Sequence, residues 1–218
     1  MTSEEDSKNK PALVPAHAAA LSRGGAASLA SRGMQDLQDL LNREDAEQWY
    51  KRGLDLRGDE SYEEACECFE RGIVLNPNHA GLQYCFGYAY LHGEGVMQDF
   101  SQAAAWFREA ADQGDADAQF ALGELYQYFL HCQDHSIAAA WYFLAAEQGH
   151  AGAAFELGSL YEIGQGVRQD HAHAAAYYRQ AAEAGDERAR QALDDMRRKG
   201  HTVQNEARDK SPLGGISR

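Results

Sequence analysis

The chain has 218 residues, 44% of them hydrophobic, and 34 acidic against 20 basic side chains set its formal net charge at −14. That length suits one domain or one short repeat array with a sizeable core. The acidic surplus argues against sequence-independent nucleic-acid binding and docking on anionic lipid, both of which need clustered Lys and Arg. No apolar run approaches a membrane span, in keeping with a mean hydropathy of −0.60.

The N-terminal MTSEEDSKNK is acidic and lacks an apolar stretch, so no secretory signal is expected. A cytoplasmic location follows, with Cys66, Cys68, Cys85 and Cys132 reduced. Residues 1–33 hold Pro11, Pro15, Gly24, Gly25 and Gly33 but too few large apolar side chains to offset ordering entropy, and are expected to be disordered. Residues 200–218 read the same way. Between them, residues 34–199 read as one helical domain. Met34–Leu41 suits a short amphipathic cap. Residues 46–79 form a first unit with Trp49, Gly53, Ala65, Phe69, Gly72 and Pro77, in which Ser61 and Glu64 suit a capping box.

Three mutually similar units follow, 80–115, 116–150 and 151–186. Their seventh and eighth positions are Phe86-Gly87, Leu122-Gly123 and Leu157-Gly158. The eleventh is Tyr90, Tyr126 or Tyr161. Asp99, Asp134 and Asp170 come next, then the aromatic pairs Trp106-Phe107, Trp141-Tyr142 and Tyr177-Tyr178. Each unit closes on Ala-Ala, two residues and Gly: Gly114, Gly149 or Gly185. A period in this range means a solenoid whose units bury apolar surface by stacking. Each unit reads as two helices. Gly93 and Gly95, or Gly164 and Gly166, turn the chain, Asp99 and Asp170 cap the second helix, and the closing glycine takes a left-handed conformation. Residues 187–199, with Ala189, Ala192, Leu193 and Met196 on one side, read as a polar-faced terminal cap.

The Trp, Gly, Ala, aromatic and Pro positions of 46–79 match the tetratricopeptide pattern. The three later units resemble the Sel-one-like repeat family, on Gly93-Glu94-Gly95-Val96, Asp99, Trp106-Phe107, Ala110-Ala111, Gly114 and their equivalents. The resemblance implies an all-α, right-handed α-solenoid of helical hairpins with terminal capping helices. It also implies a non-catalytic adaptor or scaffold, many such proteins serving bacterial signalling, secretion and envelope assembly. Cysteine-rich relatives carry a disulfide in each repeat and are linked to β-lactam binding. The cysteines here do not recur by repeat position, so neither property transfers.

In tetratricopeptide relatives, first-helix positions two, five, nine, twelve and thirteen face a concave groove. Carried over, these are Tyr84, Tyr88, Leu91 and His92; Phe120, Glu124, Gln127 and Tyr128; and Phe155, Ser159, Glu162 and Ile163. The recurrent aromatic at position five also suits framework packing. Tyr88, Glu124, Tyr128 and Glu162, which do not recur in kind, fit partner contacts better, with a plain solvated surface as the alternative. From Ile73 to Val167 there are eleven carboxylates and one cationic side chain, Arg108, a field that favours a basic partner. The expected partner is a protein or peptide of basic and apolar character. No cofactor is expected, and the oligomeric state is open.

The middle unit lacks turn glycines. Its Gln127-Tyr128-Phe129-Leu130-His131-Cys132 is expected to extend the first helix or turn more tightly, moving Tyr128, Phe129 and Leu130. His131, Cys132, Asp134 and His135 place four potential metal ligands in five residues, and His131 with His135 has a chelating spacing. The cluster falls where other units carry a loop, and a fourth ligand must come from elsewhere. No phosphate loop or nucleophile motif is present. The reading is a binding module, with a secretion-type chaperone, or a metal-dependent sensor or enzyme using His131, Cys132 and His135, as alternatives.

Overall fold

The computed structural model describes residues 45–129 and 133–200. The chain divides at Asp45/Ala46 into two units, and every element described below lies in the second. Residues 1–33, Met34–Leu41, Leu130, His131, Cys132 and 201–218 lie outside the described residues.

The described residues form nine α-helices and one π-helical turn, without a strand among them. In chain order these are α1 (Ala46–Gly58), α2 (Tyr62–Leu75), α3 (Ala80–His92), α4 (Phe100–Asp112), α5 (Ala116–Glu124), the π turn (Leu125–Phe129), α6 (His135–Glu147), α7 (Ala151–Ile163), α8 (His171–Glu183) and α9 (Glu187–Arg198). The helices α1/α2, α3/α4, α5/α6 and α7/α8 pack as hairpins, and each hairpin's second helix packs on the first helix of the next. This is a helical solenoid.

One steric pair sets the hairpin geometry. A Cβ on Gly87 would stand 2.5 Å from Cδ1 and 2.6 Å from Cε1 of Phe107. Gly53 meets Phe69, Gly123 meets Tyr142 and Gly158 meets Tyr178 in the same way. A bare backbone on the first helix thus receives the ring of the second. Phe69, Phe107, Tyr142 and Tyr178 are all buried, as are Ala103, Ala138 and Ala174, where small side chains bring helices together.

The caps follow from the sequence. Asp99 Oδ1 accepts from Ser101 N at 2.8 Å and Gln102 N at 3.0 Å. Asp134 and Asp170 cap α6 and α8 identically. The first helices are capped by His79, Asp115 and His150, and α9 by Asp186. The two histidines do so through Nδ1, which accepts from Leu82 N at 3.2 Å and Ala153 N at 3.0 Å. Ser61 occupies the N-cap of α2, but its side chain makes no capping bond, so the expected capping box does not form. Gly93 and Gly164 end α3 and α7 at φ of 74° and 76°, in the left-handed region that favours glycine.

Buried glutamines tie successive elements together. Gln113 Nε2 donates to Gln83 Oε1 at 2.6 Å, and Gln148 Nε2 to Gln119 Oε1 at 2.8 Å. Gln83 and Gln119 in turn donate to the carbonyls of Pro77 and Ala111. Ala189, Leu193 and Met196 of α9 are buried against the last hairpin, while its other face is charged.

Candidate functional site

The first helices line one side of the stack. Besides their contacts along the chain, α5 and α7 touch directly. The side chains at positions five, nine, twelve and thirteen of these helices fall into two sectors.

The first sector belongs to α3. Tyr84 packs on the Phe107 ring at 5.5 Å, and Tyr88 on Tyr84 at 6.4 Å and His92 at 4.2 Å. Arg57, from α1, lies over the Tyr88 ring at 4.8 Å, a cation–π contact, while its Nη1 is buried with no hydrogen-bond partner. Burial pushes the Tyr84 phenol up to about 12. Leu91 is half-buried and His92 exposed.

The second sector joins α5, the π turn, α7 and α9. Gln127 Nε2 donates to Tyr128 Oη at 2.7 Å, and Tyr128 Oη donates to Glu156 Oε2 at 3.3 Å. Arg188 Nη1 stands 3.5 Å from Glu156 Oε1, its guanidinium 4.2 Å over the Phe155 ring. Glu162 accepts from Tyr178 Oη at 2.9 Å and Lys199 Nζ at 3.1 Å. Burial, then the charge of Glu156, raises the Glu124 carboxyl above the usual range; burial likewise raises Glu156, against the pull of Arg188 and Tyr128.

The position-five rings share a packing pattern. Phe120 lies on Tyr142 at 5.7 Å and on His150 at 4.5 Å; Phe155 lies on Tyr178 at 5.5 Å. Each ring therefore braces its own hairpin and the start of the next. Ser159 is half-buried, whereas Ile163 is 55% and Tyr128 51% exposed.

Three contributors lay beyond the residues singled out in the sequence, and a fourth, Glu156, was counted there only as part of the acidic run. Arg57 and Arg188 come from α1 and α9 and Lys199 is the C-cap of α9, and extending the repeat register outward places them at positions twelve, two and thirteen. Glu156 stands at position six, where no repeat signal marks it. These cations temper the acidic field, which counted only residues 73–167. Of the eleven carboxylates there, Asp99, Asp115 and Asp134 are caps, and Asp117 lies 3.4 Å from His150. Glu109, Asp112 and Glu147 are exposed on second helices.

The irregular middle unit has a structural answer. Without a glycine for positive φ, α5 continues as the π turn, a wider coil rather than a tighter one. Gly95 and Gly166 abut the first residues of the preceding second helices, Tyr62 and His135. The equivalent first residue for the middle unit is Phe100, and it meets Phe129, ring centroids 5.2 Å apart. Asp134 N still donates to Tyr126 O at 3.0 Å, as Asp99 N does to Tyr90 O. The unit keeps its closure and replaces a glycine contact by an aromatic one, leaving Phe129 45% exposed.

The suggested metal cluster is only partly described. Asp134 is engaged in capping α6 and His135 is that helix's first residue. Among the described residues, no group of three His, Cys, Asp or Glu side chains converges as a metal site. Cys66, Cys68 and Cys85 are buried, Cys66 Sγ donating to Glu94 O at 3.3 Å.

The Sel1 repeat family profile matches residues 82–115, 116–150 and 151–186. The chain carries three Sel1 repeats. It is similar to a Sel1 repeat protein from Oxalobacter formigenes, at 33% identity and a TM-score of 0.64, over 70% of this chain and 63% of that one. It is also similar to c5321 of uropathogenic Escherichia coli, described as a protective antigen displaying an SLR fold. That match has 29% identity and a TM-score of 0.60, over 70% of this chain and 31% of that one. The chain thus spans under two thirds of either relative. No curated protein matches it. Sel1-repeat proteins generally mediate protein–protein interaction, and among the described residues no helix is long and apolar enough to cross a membrane.

Proposed function

We propose that this Sel1-repeat chain is a non-catalytic adaptor whose first-helix face binds a segment of a partner protein. The observation that carries the reading is the exposure of large apolar side chains on that face. Tyr128, Phe129 and Ile163 stand 51%, 45% and 55% exposed beside half-buried carboxylates. Rings and aliphatic groups left in water at one edge supply binding energy, and a single aromatic anchor accounts for about 2 kcal/mol or more at a protein interface. Glu124, Glu156 and Glu162 give selectivity for basic character. Tyr84, Tyr88 and His92, with Arg57 above them, extend the face toward α1 and add a polarity of opposite sign. Phe120 and Phe155 contribute by fixing the hairpins as well as by contact. Domain limits of 34–199 belong to the same proposal.

The test is peptide binding by the full chain, using ligands selected from a random displayed library. Tyr128→Ala weakens the selected peptides by about tenfold, the equivalent of ~1.4 kcal/mol, with little change in melting temperature. Undiminished affinity in Tyr128→Ala, or a collapse of the fold, overturns this assignment.

A further inference from the structure

We infer that the junction of α5, the π turn and α7 is a subsite for one lysine or arginine side chain of the bound segment, received by Glu124 and Glu156. This rests on the binding face proposed above and adds the chemistry of its occupant.

Three observations converge. First, the junction holds two carboxylates and is short of positive charge. Glu124 is half-buried, and among the described residues it has no hydrogen bond and no cation within ion-pair distance. A carboxylate so placed has lost solvation, and the charge of Arg188, acting from beyond ion-pair distance, offsets that loss only in part, since burial and Glu156 still hold the carboxyl above its usual range. Second, Gln127 is only 6% exposed and its Oε1 is buried with no partner. Its amide sits in the cluster, because Nε2 is bonded to the Tyr128 hydroxyl that in turn reaches Glu156. Native interiors rarely leave such an acceptor unmet. Third, Tyr142 is fully buried and its hydroxyl also lacks a partner. Burial raises that phenol, and the charges of Glu156 and Glu124 raise it further.

Arg188 is the resident cation, and it does not fill the need. Its fork is committed to Asp186, with Nη2 at 2.7 Å from Oδ2 and Nε at 3.2 Å from Oδ1, and it reaches Glu156 only at 3.5 Å. A second cation, carried by a partner, would face Glu124 directly and share Glu156. The adjacent exposed Tyr128 ring gives the aliphatic stem of a lysine or arginine a surface to lie on. Two carboxylates and one amide fall short of the six to eight oxygens a calcium ion takes, so the complementary occupant is an organic cation.

The probe is a random peptide library displayed against the full chain. Peptides enriched on the native protein should share one Lys or Arg. Combined Glu124→Gln and Glu156→Gln should weaken them tenfold or more, and replacing the peptide's cation by norleucine should cost the same factor. The two losses should not multiply when combined, the mark of a direct pair. Glu109→Gln, on the exposed side of α4, serves as the control and should leave affinity unchanged. Selected peptides without a shared cation, or basic ones indifferent to the Gln substitutions, overturn the subsite. If such peptides still depend on Tyr128, the binding face itself survives. Peptides indifferent to Tyr128→Ala as well, or no enrichment at all, overturn both.

Discussion

Gly87→Ala tests whether the glycine–aromatic contact, rather than turn geometry, holds each hairpin together. The added methyl would stand 2.5, 2.6 and 2.9 Å from Cδ1, Cε1 and Cγ of Phe107. Carbon atoms pack at about 3.5–4.0 Å, so ring or helix must retreat by about 1 Å. Phe107 is fully buried and braced by Tyr84 at 5.5 Å, so it has no free direction. Overpacking of this kind costs about 1–3 kcal/mol. Alanine recovers about 0.5–1 kcal/mol of backbone entropy within a helix. At the middle of both ranges the net loss is about 1.3 kcal/mol, and at about 2–4 °C per kcal/mol for a chain of this length the melting temperature drops by about 2.5–5 °C. Gly58→Ala is the control: nothing lies within 4 Å of its Cβ and its φ is ordinary, so it should hold or raise the melting temperature. Thermal melts by circular dichroism read both. A Gly87→Ala protein as stable as the native chain would refute the close-approach argument.

Three further perturbations follow from particular contacts. Glu124 and Glu156 have folded pKa values above the unfolded carboxylate value of 4.5, so their contribution is full below that pH and is lost as pH rises through the folded values. Glu124→Gln and Glu156→Gln should therefore melt higher than the native chain at neutral pH, with the gap closing toward pH 4; a gap that widens on acidification contradicts the burial argument. Asp170 and Asp186 are held below 3.8, Asp170 through its bonds with His173 and Ala172 despite burial, and Asp186 chiefly by Arg188. Their stabilisation is present above that value and is lost as pH falls through the lower folded values. Asp170→Ala should cost about 1 kcal/mol at neutral pH by denaturant titration and progressively less in acid, whereas a pH-independent cost would exclude the capping charge. Phe129→Ala should cost about 0.5–1.5 kcal/mol through its ring contact with Phe100, and a loss above about 3 kcal/mol would mean that Phe129 is core.

How far the sequence could be read depended on whether a feature was forced by the repeat. The Gly87–Phe107 contact recurs as Gly123–Tyr142 and Gly158–Tyr178, so the steric rule left a visible period. The caps Asp99 and Asp170 were legible for the same reason, since one carboxylate must meet two free amides, whereas Asp134, read there as a potential metal ligand, caps α6 in the same way. Features outside the register were not. His79 and His150 cap through a ring nitrogen, which residue type alone does not suggest. Glu156 enters the face at position six, and Arg188 and Lys199 reach Glu156 and Glu162 from a helix beyond the last unit. The π turn reflects the missing glycine, but its widening was set by Phe129 meeting Phe100, a contact between units that no single unit encodes.

The central claim, that a partner segment lies on the first-helix face, is tested most directly by site-specific photo-crosslinking. Tyr128→p-benzoylphenylalanine puts the probe on that face, and Leu144→p-benzoylphenylalanine puts it on the second helix α6, where Leu144 is 39% exposed. Irradiated with a selected peptide in full-length protein, the probe at 128 should give a covalent adduct and the probe at 144 none. An adduct at 144 with none at 128 would place the partner on the second-helix face and contradict the account.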